Sequence, residues 1–149
     1  MGIGYVASPH NFYEGRLKLG GSNEISPGII VNADFKVGTA VAGVGENKMI
    51  YFVAQEIDAP IEYGINDVDQ TVKVGQYLKL APVADGMEFK TTEVASAAVA
   101  GDYCKVGTNG DFEKSNAGTA GADFVVTQVD MIADKKLFTL AYKPQGANA

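Results

Sequence analysis

Apolar positions in this chain recur at every second residue over short runs, and the runs stop at glycine, proline, asparagine or aspartate. Alternation of this kind turns one side-chain row to a core and the other to solvent, which is the pattern of a half-buried strand. It predicts strands near Gly28–Phe35, Thr39–Val44, Lys48–Ile57, Thr71–Leu80, Met87–Glu93, Asp102–Val106, Asp111–Lys114, Asp123–Ala133 and Lys136–Lys143. Asn109-Gly110 predicts a two-residue hairpin turn between Cys104–Val106 and Phe112–Lys114, because both residues tolerate positive φ. Asp85-Gly86 predicts the same between Tyr77–Leu80 and Met87–Lys90. No segment of about 12 residues or more carries an apolar stripe of helical period. Glu93–Ala100 (EVASAAVA) is the best helix candidate, and it reads equally well as a connection. The fold expected is all-β: a compact antiparallel β-sandwich or barrel of short strands and hairpins, with an extended N-terminal arm.

Residues 1–27 differ from the rest. Their glycines and polar residues break the alternation, yet Ile3, Tyr5, Val6, Phe12, Tyr13, Leu17 and Leu19 make the stretch too apolar for a linker. Such a segment is expected to extend and to order against a partner. The β domain is placed at 28–144, and the tail 145–149 after Pro144 is expected to fray.

Two segments echo each other. Gly75-Gln76-Tyr77-Leu78-Lys79-Leu80 matches Gly101-Asp102-Tyr103-Cys104-Lys105-Val106, and FVAQEID at Phe52–Asp58 matches FVVTQVD at Phe124–Asp130. Chance likeness between short β segments competes with duplication here. If the first match is structural, Cys104 stands where its counterpart has Leu78, with Tyr103 and Lys105 on the opposite face. Free cysteine packs well as a small apolar side chain, and we read Cys104 that way.

Composition narrows the function classes. The chain has 149 residues, 46% of them hydrophobic, enough for one domain with a real core. A single cysteine allows no internal disulfide and suits a reducing compartment. The first residues lack a basic region followed by an apolar one, so no secretory signal is expected, and Val6 breaks the myristoylation pattern. No apolar run is long enough to suggest a transmembrane helix. Net charge is −6 and the 12 Lys and Arg are scattered along the sequence, so neither nucleic acid nor an anionic membrane is an expected partner.

Catalytic constellations are hard to assemble. A cysteine or serine nucleophile would need the one histidine, His10, and Gly43-Val44-Gly45 lacks the helix that would make it a phosphate loop. A zinc site would need more Cys and His than are present. The densest carboxylate stretch holds Glu56, Asp58, Glu62, Asp67 and Asp69. It could serve a calcium ion or, less readily, a glycosidase-like pair, but a solvated acidic loop broken by Pro60 and Gly64 is the simpler expectation. We expect no catalytic residues, no metal and no cofactor. Exposed Tyr5, Tyr13 or Tyr63 could stack on sugars or line a subunit contact.

Taken together, Tyr51–Leu80 (YFVAQEIDAPIEYGINDVDQTVKVGQYLKL), the hairpin that follows and Ala122–Pro144 (ADFVVTQVDMIADKKLFTLAYKP) resemble small virion proteins of tailed bacteriophages. These are capsid decoration or head-stabilising proteins, including capsid-anchoring parts of head fibres. The resemblance covers roughly two-thirds of the chain. It implies a non-enzymatic structural protein, made in the host cytoplasm and placed on the outer capsid surface. Its partners would be the major capsid protein lattice and copies of itself, with a trimer favoured. No motif of functional residues transfers, so interface anchors are taken from the aromatics: Tyr5, Phe12 and Tyr13 on the arm, and Tyr63. The alternative is a carbohydrate- or cell-surface-binding β module of a phage fibre.

Overall fold

A computed structural model describes residues 2, 4–6, 14–45, 49–54, 71–95, 97–132 and 134–144. Among them the regular structure is entirely β. Eleven strands run β1 (Gly4–Val6), β2 (Lys18–Leu19), β3 (Ile30–Asp34), β4 (Thr39–Ala42), β5 (Ile50–Val53), β6 (Leu80–Pro82), β7 (Glu88–Thr91), β8 (Tyr103–Val106), β9 (Phe112–Ser115), β10 (Phe124–Ile132) and β11 (Lys135–Tyr142). They form a six-stranded sheet, β1-β7-β11-β10-β8-β9, and a five-stranded sheet, β2-β4-β3-β5-β6. All pairs are antiparallel except β2 with β4.

The five-stranded sheet curls back on itself. Glu14 and Leu80 exchange backbone hydrogen bonds of 2.7 and 2.9 Å, Leu78 N donates to Leu17 O, and Leu19 N donates to Gln76 O. The chain from 14 to 19 is thereby held between β4 and the run into β6, closing a small barrel. Alternation then sorts the side chains. Leu17, Leu19, Val31, Ala33, Ala40, Val53, Leu78 and Leu80 fill the barrel. Ile30, Phe52 and Ala81 point outward and pack on the six-stranded sheet against Phe89, Cys104, Phe112, Phe124, Val126, Phe138 and Leu140. Phe52 meets Phe89 with ring centroids 4.6 Å apart, and Phe124 sits between Phe112 and Tyr142 at 4.9 and 5.1 Å. The sequence left sandwich and barrel open; the molecule combines them, a barrel packed face to face on a sheet.

The described residues of the stretch 1–27 belong to the body of the molecule. β1 adds to the edge of the six-stranded sheet beside β7, and β2 lies in the barrel. The N-terminal chain therefore joins both layers.

Other expectations are corrected. Asp85-Gly86 does make a turn, with Met87 N donating to Ala84 O at 3.0 Å, but the flanking strands do not pair. β6 hydrogen-bonds to β5 and β7 to β11, so this turn passes from one layer to the other. The hairpin of β8 and β9 is present, but Gly107–Asp111 form its loop, with Gly110 rather than Asn109 at positive φ. Thr71–Leu80 is interrupted by a turn at Lys73–Gln76, and only Leu80 belongs to a strand. Glu93–Ala100 is a connection in its described residues: Phe112 N donates to Glu93 O and Ala95 N to Phe112 O. So short a segment gains little as an isolated helix, and pairing along the edge of β9 satisfies its backbone.

The first sequence echo is structural. Gln76 N donates to Lys73 O and Asp102 N to Val99 O, both at 3.0 Å. In each turn the last side chain returns the bond: Lys73 N donates to Gln76 Oε1 at 2.8 Å, and Val99 N to Asp102 Oδ2 at 2.9 Å. Gly75 and Gly101 occupy the same left-handed position, φ 89° and 96°. The two copies serve different layers.

The layers also share a buried polar link. Thr91 Oγ1 donates to Gly28 O at 2.7 Å and accepts from Glu93 N at 2.9 Å, with the residue fully buried. Replacing this hydroxyl by a methyl orphans both backbone groups. Thr91→Val is expected to lower stability by about 1–3 kcal/mol in denaturant unfolding.

Candidate functional site

β2 lies on the side of the barrel away from the six-stranded sheet, so its outward row is free to meet solvent. The segment Arg16-Leu17-Lys18-Leu19 alternates strictly: both leucines are buried and both cations exposed. Two turns flank it. On one side the β3–β4 turn brings Phe35, Lys36 and Val37, tied to β2 by Lys18 N donating to Gly38 O. On the other, the Lys73–Gln76 turn and Tyr77 are tied to Leu19. Phe35, Val37, Val74 and Tyr77 are 41, 69, 46 and 64% exposed, a concentration of apolar area that a solvated turn does not need.

Cations hold these rings. The Arg16 guanidinium lies 5.6 Å from the Phe35 centroid, and Lys18 Nζ lies 5.1 Å from that of Tyr77. Phe35 is also edge-on to Tyr51 at 6.2 Å. Glu14 grips Arg16 at 2.7 Å, and this hydrogen-bonded pairing drops the Glu14 pKa to about 2. Asp34 Oδ1 accepts from the backbone N of Lys36 and of Val37 at 3.0 and 3.2 Å, capping its own turn. The face therefore offers fixed rings and cations whose nearby carboxylates are already engaged.

A concave surface opens elsewhere, at the flank where the layers meet. It is a cleft of about 660 Å³ lined by Met49, Ile50, Tyr51, Pro82, Val106, Phe124 and Tyr142, among others. Burial pushes the Tyr142 phenol up, with Asp123 and Asp85 adding to the shift. Its lining is mainly apolar.

Of the aromatics singled out in the sequence, Tyr5 is described. It lies in β1 opposite Lys90, half-buried, and packs against Leu137 with Ile132. Phe12, Tyr13 and Tyr63 lie outside the described residues, as do His10 and the carboxylates Glu56, Asp58, Glu62, Asp67 and Asp69. Among the described residues no three Asp, Glu, His or Cys side chains converge as a metal site. Of the barrel-face residues, Tyr77 stood out in the sequence only through the echo, and the cations did not, although RLKL at 16–19 and YLKL at 77–80 carry the same outward row.

Cys104 is fully buried in the core between the layers. Burial, with Asp102 nearby, pushes its thiol up to about 11. At pH 8 about one molecule in a thousand would carry the thiolate, and the sulfur is sealed from solvent. A colorimetric disulfide reagent is expected to leave the native protein untouched over an hour and to titrate one thiol after unfolding.

The described residues define an all-β protein whose exposed rings and cations gather on the barrel face around β2. Comparisons with protein-family models, with curated proteins and with solved structures give no match.

Proposed function

We propose that the protein is a non-enzymatic virion structural protein that binds the assembled major capsid protein lattice of a tailed bacteriophage and stabilises it. The carrying observation is the barrel face: exposed rings and cations on strands closed into a ring and stitched by the N-terminal chain to a second layer. Aromatic and arginine side chains held on a rigid scaffold lose little freedom on docking and dominate interface energetics. The resemblance of Tyr51–Leu80 and Ala122–Pro144 to decoration proteins supports the same reading, with the outer capsid surface as its place and a homo-oligomer, trimer favoured, as its form. A ligand that binds only the assembled shell stabilises it by mass action, and many copies on a lattice multiply weak contacts. The carbohydrate-binding alternative is less well supported. Phe35 and Tyr77 each carry a cation on one ring face, leaving a sugar half the stacking surface.

Co-sedimentation with purified undecorated shells tests the proposal. Binding is expected to saturate at a fixed ratio to capsid subunits, and light scattering of the free protein gives the oligomer that fills each site. Protein remaining in the supernatant at micromolar concentration would overturn it.

A further inference from the structure

We propose that the barrel face around β2 docks an acidic protein surface. This rests on the reading above that the chain works by binding a protein lattice, and it names which face does so and what the lattice must present. The chain carries a net charge of −6, yet Arg16, Lys18, Lys36 and Lys73 gather here from three separate places in the sequence. Glu14 is held by Arg16 and Asp34 by its own turn. Lys36 and Lys73 have no carboxylate partner among the described residues. A basic face on an acidic body orients approach: it draws in an anionic surface while the rest of the molecule repels it. Val37 and Tyr77, more than half exposed, supply the apolar contacts that a protein partner buries.

A nucleic acid fits less well. Its bases stack on open aromatic faces, whereas Lys18 and Arg16 already cover one side of each ring here.

The test is an NMR titration of the isotope-labelled full chain with two probes, poly-L-glutamate and a random copolymer of glutamate and tyrosine. Oligothymidylate and dextran sulfate serve as competing polyanions. The polypeptides are expected to shift the amides of Lys18, Lys36, Lys73 and Tyr77 first, more weakly as salt rises. The copolymer is expected to bind more tightly than polyglutamate, and Tyr77→Ala to remove that advantage. Lys36→Glu with Lys73→Glu should weaken binding at least about tenfold. Lys105→Glu with Lys136→Glu, on the other layer, should leave it unchanged. All these positions are exposed, so the variants are expected to keep the parent unfolding transition.

Absence of shifts, shifts centred on Lys105 and Lys136, or tighter binding of oligothymidylate or dextran sulfate at this face would each overturn the proposal. The same charge-reversed variant separates the two levels. Shells that bind it as well as the parent overturn the face but leave the capsid proposal intact. Shells that bind neither overturn the capsid proposal, and the polypeptide titration still decides the face.

Discussion

Gly110→Ala should destabilise the protein by about 3 kcal/mol, read as a shift in urea midpoint or as a fall of roughly 10 °C in Tm. Gly110 lies in the β8–β9 loop at φ 83°, where any side chain is strained. A Cβ there would also drive into the carbonyl oxygen of Ile30, and Ile30 N donates to Gly110 O at 2.9 Å. The loop of one layer thus touches the backbone of the other with no room between them. Neither backbone can yield without breaking the hydrogen bond that joins barrel to sheet. Gly75→Ala isolates the conformational part: φ is 89°, but nothing lies within 4 Å of the new methyl. It should cost only about 1 kcal/mol. Equal losses for the two variants would mean that the interlayer contact at Gly110 contributes nothing.

Leu19→Ala should cost about 3 kcal/mol, as large-to-small changes in well-packed cores do. Leu19 is 2% exposed inside the barrel, beside Leu17 and Leu78. Were residues 1–27 an arm that orders only on a partner, the free protein would not register the change. The same geometry bears on truncation. Removing residues 2–20 deletes β1 and β2, opens the barrel, and should abolish cooperative unfolding rather than merely weaken binding. The narrower Leu19→Ala keeps the backbone ladder and so measures the packing alone.

Much of the fold was legible because alternation is a local signal. Eight of the nine expected strands overlap strands of the structure over several residues, from Ile30–Asp34 to Lys135–Tyr142, and Thr71–Leu80 meets β6 only at Leu80. The burial of Cys104 followed from its match with Leu78. What failed was non-local. Asp85-Gly86 forms a turn, but which strand each arm pairs with depends on the competition of β5 and β11 for those edges. Leu17 and Leu19 looked like an arm's stray apolar residues, since only the closed ring shows what they fill. The cations looked scattered for the same reason. Arg16 and Lys36 lie 20 positions apart in sequence, and the β3–β4 turn brings their neighbourhoods together around Phe35. Tyr77 was matched with Tyr103 in the echo, but its pairing with Lys18 requires the contact between 14–19 and 75–80 that closes the barrel.

The most direct test of capsid stabilisation is calorimetry of assembled, undecorated shells with and without saturating protein. Binding restricted to the assembled lattice predicts that the shell transition moves to higher temperature and that the shift grows with the free protein concentration. A shell transition that stays in place at saturating concentrations would contradict the account.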